Sequence, residues 1–197
     1  MIVVAYAAAR GVTLTGAAAY GLMWLLIAGS SRFSMSALGL QFAPPGSASL
    51  DTVAVMLLLV PAGILTSCLG SQTPTLEATR SRRCYPSQQL WVGVITVVAV
   101  LSPLTVAPIL HRSIDVAAFF ITWCITLGTW LIIASFASTI VAATVTFMML
   151  AGFSTPNLVP WRANIVYNLE AKNAASLIAA ILFLGGAALP ALVLSRR

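Results

Sequence analysis

Apolar residues in this chain come in long blocks, and short polar stretches divide them. Residues 116–153 form a run of 38 without one charge. A straight α-helix of that length would measure about 57 Å at ~1.5 Å per residue. A bilayer's hydrocarbon core is about 30 Å thick. The run is therefore expected to fold back and cross a membrane twice. Read the same way, the whole chain predicts six spans, at 12–29, 51–70, 90–110, 115–135, 138–153 and 174–194. Each is close to the ~20 residues needed to cross. The turn between spans four and five has no Gly or Pro to mark it. Ser138 suits the N-cap of span five, because its hydroxyl can take up a free N–H of the first turn.

Composition agrees with an all-α polytopic membrane protein. Of 197 residues 60% are hydrophobic and 7% charged, and the mean hydropathy is +1.01. An ordinary soluble domain carries about 25% charge. The polar stretches are too short for a separate soluble domain, which needs roughly 50 residues. One transmembrane domain over 1–197 is expected, with an inner loop at 71–89 and an outer loop at 154–173. Arg outnumbers Lys nine to one and Ala is abundant, the composition of a GC-rich bacterial genome.

Charge sets the orientation, because cytoplasmic loops carry the excess of Arg and Lys. With both termini inside, Arg10, Arg80, Arg82, Arg83, Arg196 and Arg197 are cytoplasmic. Arg32, Arg112, Arg162 and Lys172 are outside. Glu77 lies inside, and Asp51, Asp115 and Glu170 lie outside. The balance is then +5 inside and +1 outside, together the chain's +6. The cluster Arg80-Ser81-Arg82-Arg83 decides the direction. Residues 1–10 are expected as an interfacial helix leading into a retained first span. A cleaved signal would place its charge before its apolar core, and here Arg10 follows an apolar start. Tyr85 and Trp91 at the inner level, and Trp161 and Tyr167 at the outer, are expected as headgroup anchors. Trp123 and Trp130, one heptad apart, share a face of span four that favours packing over a ligand cage.

Spans two to six hold no Asp, Glu, Lys, Arg or His except at their ends. A mid-membrane charge costs at least ~2.5 kcal/mol and marks ion or proton paths. Asp51 and Asp115 stand at span starts, where they can cap helices and complement the dipole. Cys68, Cys84 and Cys124 form no C-x-x-C, and with one His they build no zinc site. No phosphate-binding glycine loop occurs. No catalytic constellation, cofactor or metal is expected. An intramembrane enzyme would have to draw on His111, Asp115 and Glu170 converging near the outer face.

Thr122, Thr126 and Thr129 recur at i, i+4 and i+7 on span four. Such hydroxyls can bond across helices, line a substrate path, or bond back to the i−4 carbonyl. Ala17/Gly21 and Ala175/Ala179 have the small-xxx-small spacing that permits close helix approach. Pro61, Pro103, Pro108 and Pro190 lie in spans or near their ends and can kink them.

The inner loop carries the strongest functional clue. Residues 73–80 read as a short helix. Thr73 caps it, Pro74 takes the first position and Glu77 lies in the opening turn. Arg80, Arg82 and Arg83 sit at its end, where positive charge complements the dipole. A polar helix at the membrane surface can anchor on anionic lipid or dock a cytosolic partner.

Six spans, inside termini and a short helix between spans two and three resemble the membrane subunit of type-2 ABC exporters. The stretch Leu76-Glu77-Ala78-Thr79-Arg80-Ser81-Arg82-Arg83 is similar to a Leu-Glu…Arg pattern in small actinobacterial members. Pro160-Trp161-Arg162 is similar to a Pro-Trp pair before their last span, and 157–173 has the length of their short outer helices. The resemblance implies a permease subunit that Leu76, Glu77 and Arg80 would couple to a separate ATPase subunit. Its substrate would be lipophilic or amphipathic, because the expected interior offers hydroxyls rather than charges, with Thr122, Thr126 and Thr129 as the candidates for its path. Its other implied partners are a second copy or a second permease subunit, and membrane lipid; no nucleic acid is expected. The other reading from the residues is a non-catalytic accessory or assembly subunit of a larger membrane complex.

Overall fold

The computed structural model describes residues 12–39, 43–68 and 85–195, whose regular structure is helical. The α-helices among them are α1 (Leu14–Ser30), α2 (Ala54–Leu57), α3 (Leu59–Ser67), α4 (Tyr85–Val106), α5 (Val116–Phe136), α6 (Thr139–Ser154) and α7 (Lys172–Ser195). Three stretches are long and apolar enough to cross a membrane: Leu90–Ile109, Val116–Phe136 and Leu169–Ala188. Leu14–Ser30, Ala54–Ser67 and Thr139–Ser154 are apolar but shorter. The expected inner-loop helix at 73–80 lies outside the described residues.

Local chemistry sets the helix ends. Thr13 Oγ1 accepts from Gly16 N, Asp115 from Ala118 N and Ser138 from Val141 N, each satisfying a first-turn donor. Only Ala137 and Ser138 separate α5 from α6. The expected second span is instead two helices that meet at Leu58. Pro61 has no N–H for the Leu57 carbonyl, and its ring crowds that group, so the ladder breaks one turn upstream. Asp51 does not cap this segment. Its carboxylate accepts from Met35 N and Ser36 N and pairs with the Ser36 hydroxyl, which holds the 3-10 turn Ser36–Leu38. Thr52 Oγ1 takes the Ala54 N–H instead. α4 begins at Tyr85, so its first turn occupies part of the expected loop 71–89.

Chain direction alternates through the bundle. At one end His111 N, beyond α4, donates to Ser31 Oγ, beyond α1. There too Asp115, before α5, pairs with Lys172 at the start of α7. Leu50 N, before α2, donates to Tyr167 O in the loop that follows α6. At the opposite end Trp91 Nε1 of α4 donates to Cys68 O, the residue after α3.

α5 is the central helix. Phe119, Trp123, Ile125 and Leu127 are fully buried on it. α5 and α7 touch backbone to backbone: a Cβ on Gly128 would stand 2.6 Å from the Leu182 carbonyl carbon. Ala175 and Ala179 continue the buried face of α7, whereas Ala17 and Gly21 are exposed on α1. Large apolar side chains also point outward. Leu22, Leu25 and Leu26 of α1, Ile140 and Met148 of α6, and Leu177, Ile181 and Leu184 of α7 are all exposed. Apolar surface of this extent is rare on soluble monomers and is at home in lipid.

Candidate functional site

The three threonines named for a substrate path lie inside the bundle. Thr122 and Thr126 are buried and Thr129 is partly so. Thr126 Oγ1 donates back to Thr122 O at 2.8 Å, and Thr122 Oγ1 donates to Val166 O at 3.3 Å. Thr129 Oγ1 points to Met149 Sδ on α6 at 3.8 Å. Of the three options for the stripe, it uses cross-helix contact and back-bonding. Leu76, Glu77 and Arg80 lie outside the described residues.

One end of the bundle carries an ordered polar cap, built by the loop between α6 and α7. Asn164 Nδ2 donates to Phe153 O and its Oδ1 accepts from Tyr167 N. Asn168 Nδ2 donates to Trp161 O and its Oδ1 accepts from Glu170 N. Leu169 N donates to Ala48 O, and Ser49 and Asn168 form an isolated antiparallel bridge. Tyr167, expected as a headgroup anchor, is fully buried, and its hydroxyl is 2.7 Å from Ser154 Oγ. Burial pushes that phenol up to about 12, above its ordinary value. Trp91 is likewise buried, because its indole N–H finds Cys68 O.

Two of the ionisable residues singled out at this end, Asp115 and His111, have different side-chain partners. Asp115 receives Lys172 Nζ on both oxygens, at 3.0 and 2.8 Å. That hydrogen bond, with the Ala118 N–H, holds the carboxyl below its usual value. His111 Nδ1 pairs with Ser113 Oγ at 2.7 Å. The Glu170 backbone N–H bonds to Asn168 Oδ1. Among the described residues no three His, Cys, Asp or Glu side chains are grouped to hold a metal. Cys68 and Cys124 are free thiols.

The interior contains a second constellation, which the sequence reading did not single out. Trp123 Nε1 donates to Ala99 O of α4 at 2.8 Å. Pro103, four residues on, has no N–H for that carbonyl. Tyr20 OH of α1 donates to Ser102 Oγ at 2.8 Å, and Ser102 Oγ bonds back to Val98 O. Trp24 stands edge-on to both Tyr20 and Trp123, with ring centroids 6.3 and 5.1 Å away. α1, α4 and α5 thus meet where the α4 ladder is interrupted. A proline inside a span was the available signal, since the carbonyl it orphans needs a donor from another helix.

Two cavities accompany this arrangement. A void of about 20 Å³, with almost wholly apolar walls, lies between α3, α4, α5 and α7. A wider, open groove of about 450 Å³ runs between α3 and α6, with Trp130 in its wall. Neither is lined by Thr122, Thr126 or Thr129. Comparison with family models, curated proteins and solved structures finds no match to this chain.

Proposed function

We propose that the chain is the multi-pass membrane subunit of an ATP-driven exporter in a bacterial plasma membrane. In this reading it makes six crossings with both termini cytoplasmic, and works as a homodimer or beside a second permease subunit. A separate ATPase subunit drives it by docking on Leu76, Glu77 and Arg80. The polar cap faces outward and the Arg-rich loop faces inward. The substrate is lipophilic or amphipathic. No charged side chain is buried among the described residues, which suits a substrate bound without charge pairing.

One observation carries the reading. The 2.9 Å bond from Trp91 Nε1 to Cys68 O ties together the two helices on either side of residues 69–84. Load applied to that loop would reach α3 and α4 together. The test is ATP-dependent transport in vesicles holding the chain and its ATPase. Glu77→Ala with Arg80→Ala is expected to abolish it; unchanged transport would count against the coupling role.

The accessory-subunit reading draws on a different observation. The Thr122, Thr126 and Thr129 hydroxyls are spent on packing and the interior void is small. Under that reading the same double substitution weakens assembly of a larger complex and leaves ATP use untouched.

A further inference from the structure

α4 is continuous through Pro103, which removes one donor from its ladder, and the helix has different surroundings on the two sides of that residue. Beyond Pro103 the helix is anchored: Val106 and Leu110 are buried, and His111 N is held by Ser31 Oγ. Before Pro103, Val92, Ile95, Thr96 and Ala99 line the void and face Leu127 and Leu131 of α5. A void forfeits the dispersion contacts of its lining, so the inner half is held less tightly against α5 than a fully packed face would be. α5 cannot follow it freely, because Gly128 and Gly186 seat α5 against α7 with no room for a methyl group. At the junction the Ala99 carbonyl lacks its i+4 helical donor and accepts from Trp123 Nε1 of α5.

From this we infer that α4 is a hinged lever. Its pivot is the segment 99–103, its latch is the hydrogen bond from Trp123 to Ala99, and its inner half tilts about that pivot against a fixed α5–α7 pair. Tyr20 and Ser102 hold the pivot to α1. The inner half carries the end of α3 with it through Trp91. The lever deepens the exporter reading and rests on it for its purpose, since it would be the part that answers the inner loop. Its existence is testable without any ATPase.

The experiment is pulsed electron–electron distance measurement on the full chain in lipid vesicles, with Cys68, Cys84 and Cys124 replaced. Spin labels at Gly93→Cys and Phe136→Cys report the inner half of α4 against α5. Both positions are exposed, and a Cβ on Gly93 meets nothing within 4 Å. Labels at Leu104→Cys and Met148→Cys report the outer half. The lever predicts a broad or two-peaked 93–136 distance beside a single narrow 104–148 distance. Pro103→Ala supplies the missing N–H and should merge the 93–136 distribution into one narrow peak. Trp123→Phe removes the latch and should broaden it, with 104–148 unmoved. A single narrow 93–136 peak in the parent chain, or one that neither substitution changes, overturns the lever. That result would leave the docking of an ATPase on the inner loop standing, and loss of the docking would leave the lever standing.

Discussion

Gly186 of α7 lies directly on Gly128 of α5: a Cβ added at Gly186 would be 3.0 Å from the Gly128 carbonyl oxygen and 2.9 Å from Leu131 Cβ. In the reverse direction a Cβ on Gly128 would meet backbone atoms of Leu182 and Phe183 at 2.6–2.7 Å. Backbone has no rotamer with which to yield. Gly128→Ala is expected to push the helices apart and cost about 1–3 kcal/mol, the range for overpacking a core. Gly21→Ala, on an open face of α1, should be neutral or slightly stabilising. Thermal melts of the two variants in one detergent check the contrast.

Thr146 of α6 is fully buried, and its hydroxyl has no hydrogen-bond partner. An unsatisfied buried hydroxyl costs about 1–3 kcal/mol. Thr146→Val removes it at nearly constant shape and should raise the melting temperature. Asn164→Ala should do the opposite. It removes the side-chain bonds to Phe153 O and Tyr167 N together, a loss of about 1–3 kcal/mol at ~0.5–1.5 kcal/mol for each bond.

The Asp115–Lys172 pair is about one-third exposed on both sides, so it is worth at most about 1 kcal/mol. Its pH dependence has a definite sign. The carboxyl is held below its ordinary 3.8 in the folded chain. Its contribution is therefore complete above that value and is lost as pH falls through the lowered one. Lys172→Ala should leave a small deficit at pH 7 that shrinks toward zero in acid. A deficit that grows as pH falls would contradict this assignment.

Cysteine at position 126 should resist a thiol reagent in membranes, because the site is fully buried. Cysteine at Phe136, which is 75% exposed, serves as the accessible control if the reagent is membrane-permeant. Rapid labelling at 126 would return the threonine stripe to the substrate path.

The helices were legible in the sequence because each is written in a continuous apolar block, and Ser138 and Asp115 stand where a first turn needs an acceptor. What needed a partner's register was not. Ala17/Gly21 and Ala175/Ala179 have the same spacing, but only the second pair is buried, and spacing alone cannot say which helix face meets another. Gly128 and Gly186 are 58 positions apart in the chain, and only the crossing of α5 and α7 brings them together. Asp51 fits the pattern of a helix cap, yet Met35 and Ser36 offer it free N–H groups across a loop. Tyr167 fits the pattern of an interfacial anchor, yet Ser154 gives its hydroxyl a partner inside the protein. Leu76, Glu77 and Arg80, proposed for coupling, lie outside the described residues and were legible only as a loop pattern.

The central claim is that a separate ATPase works through this chain. The most direct measurement is purification of the tagged chain from its native membrane in mild detergent, with mass spectrometry of what accompanies it. The account predicts a stoichiometric ATPase that is lost when Glu77 and Arg80 are replaced by alanine. Other membrane subunits in stoichiometric amount, with no ATPase among them, would contradict it and leave the accessory-subunit reading in its place.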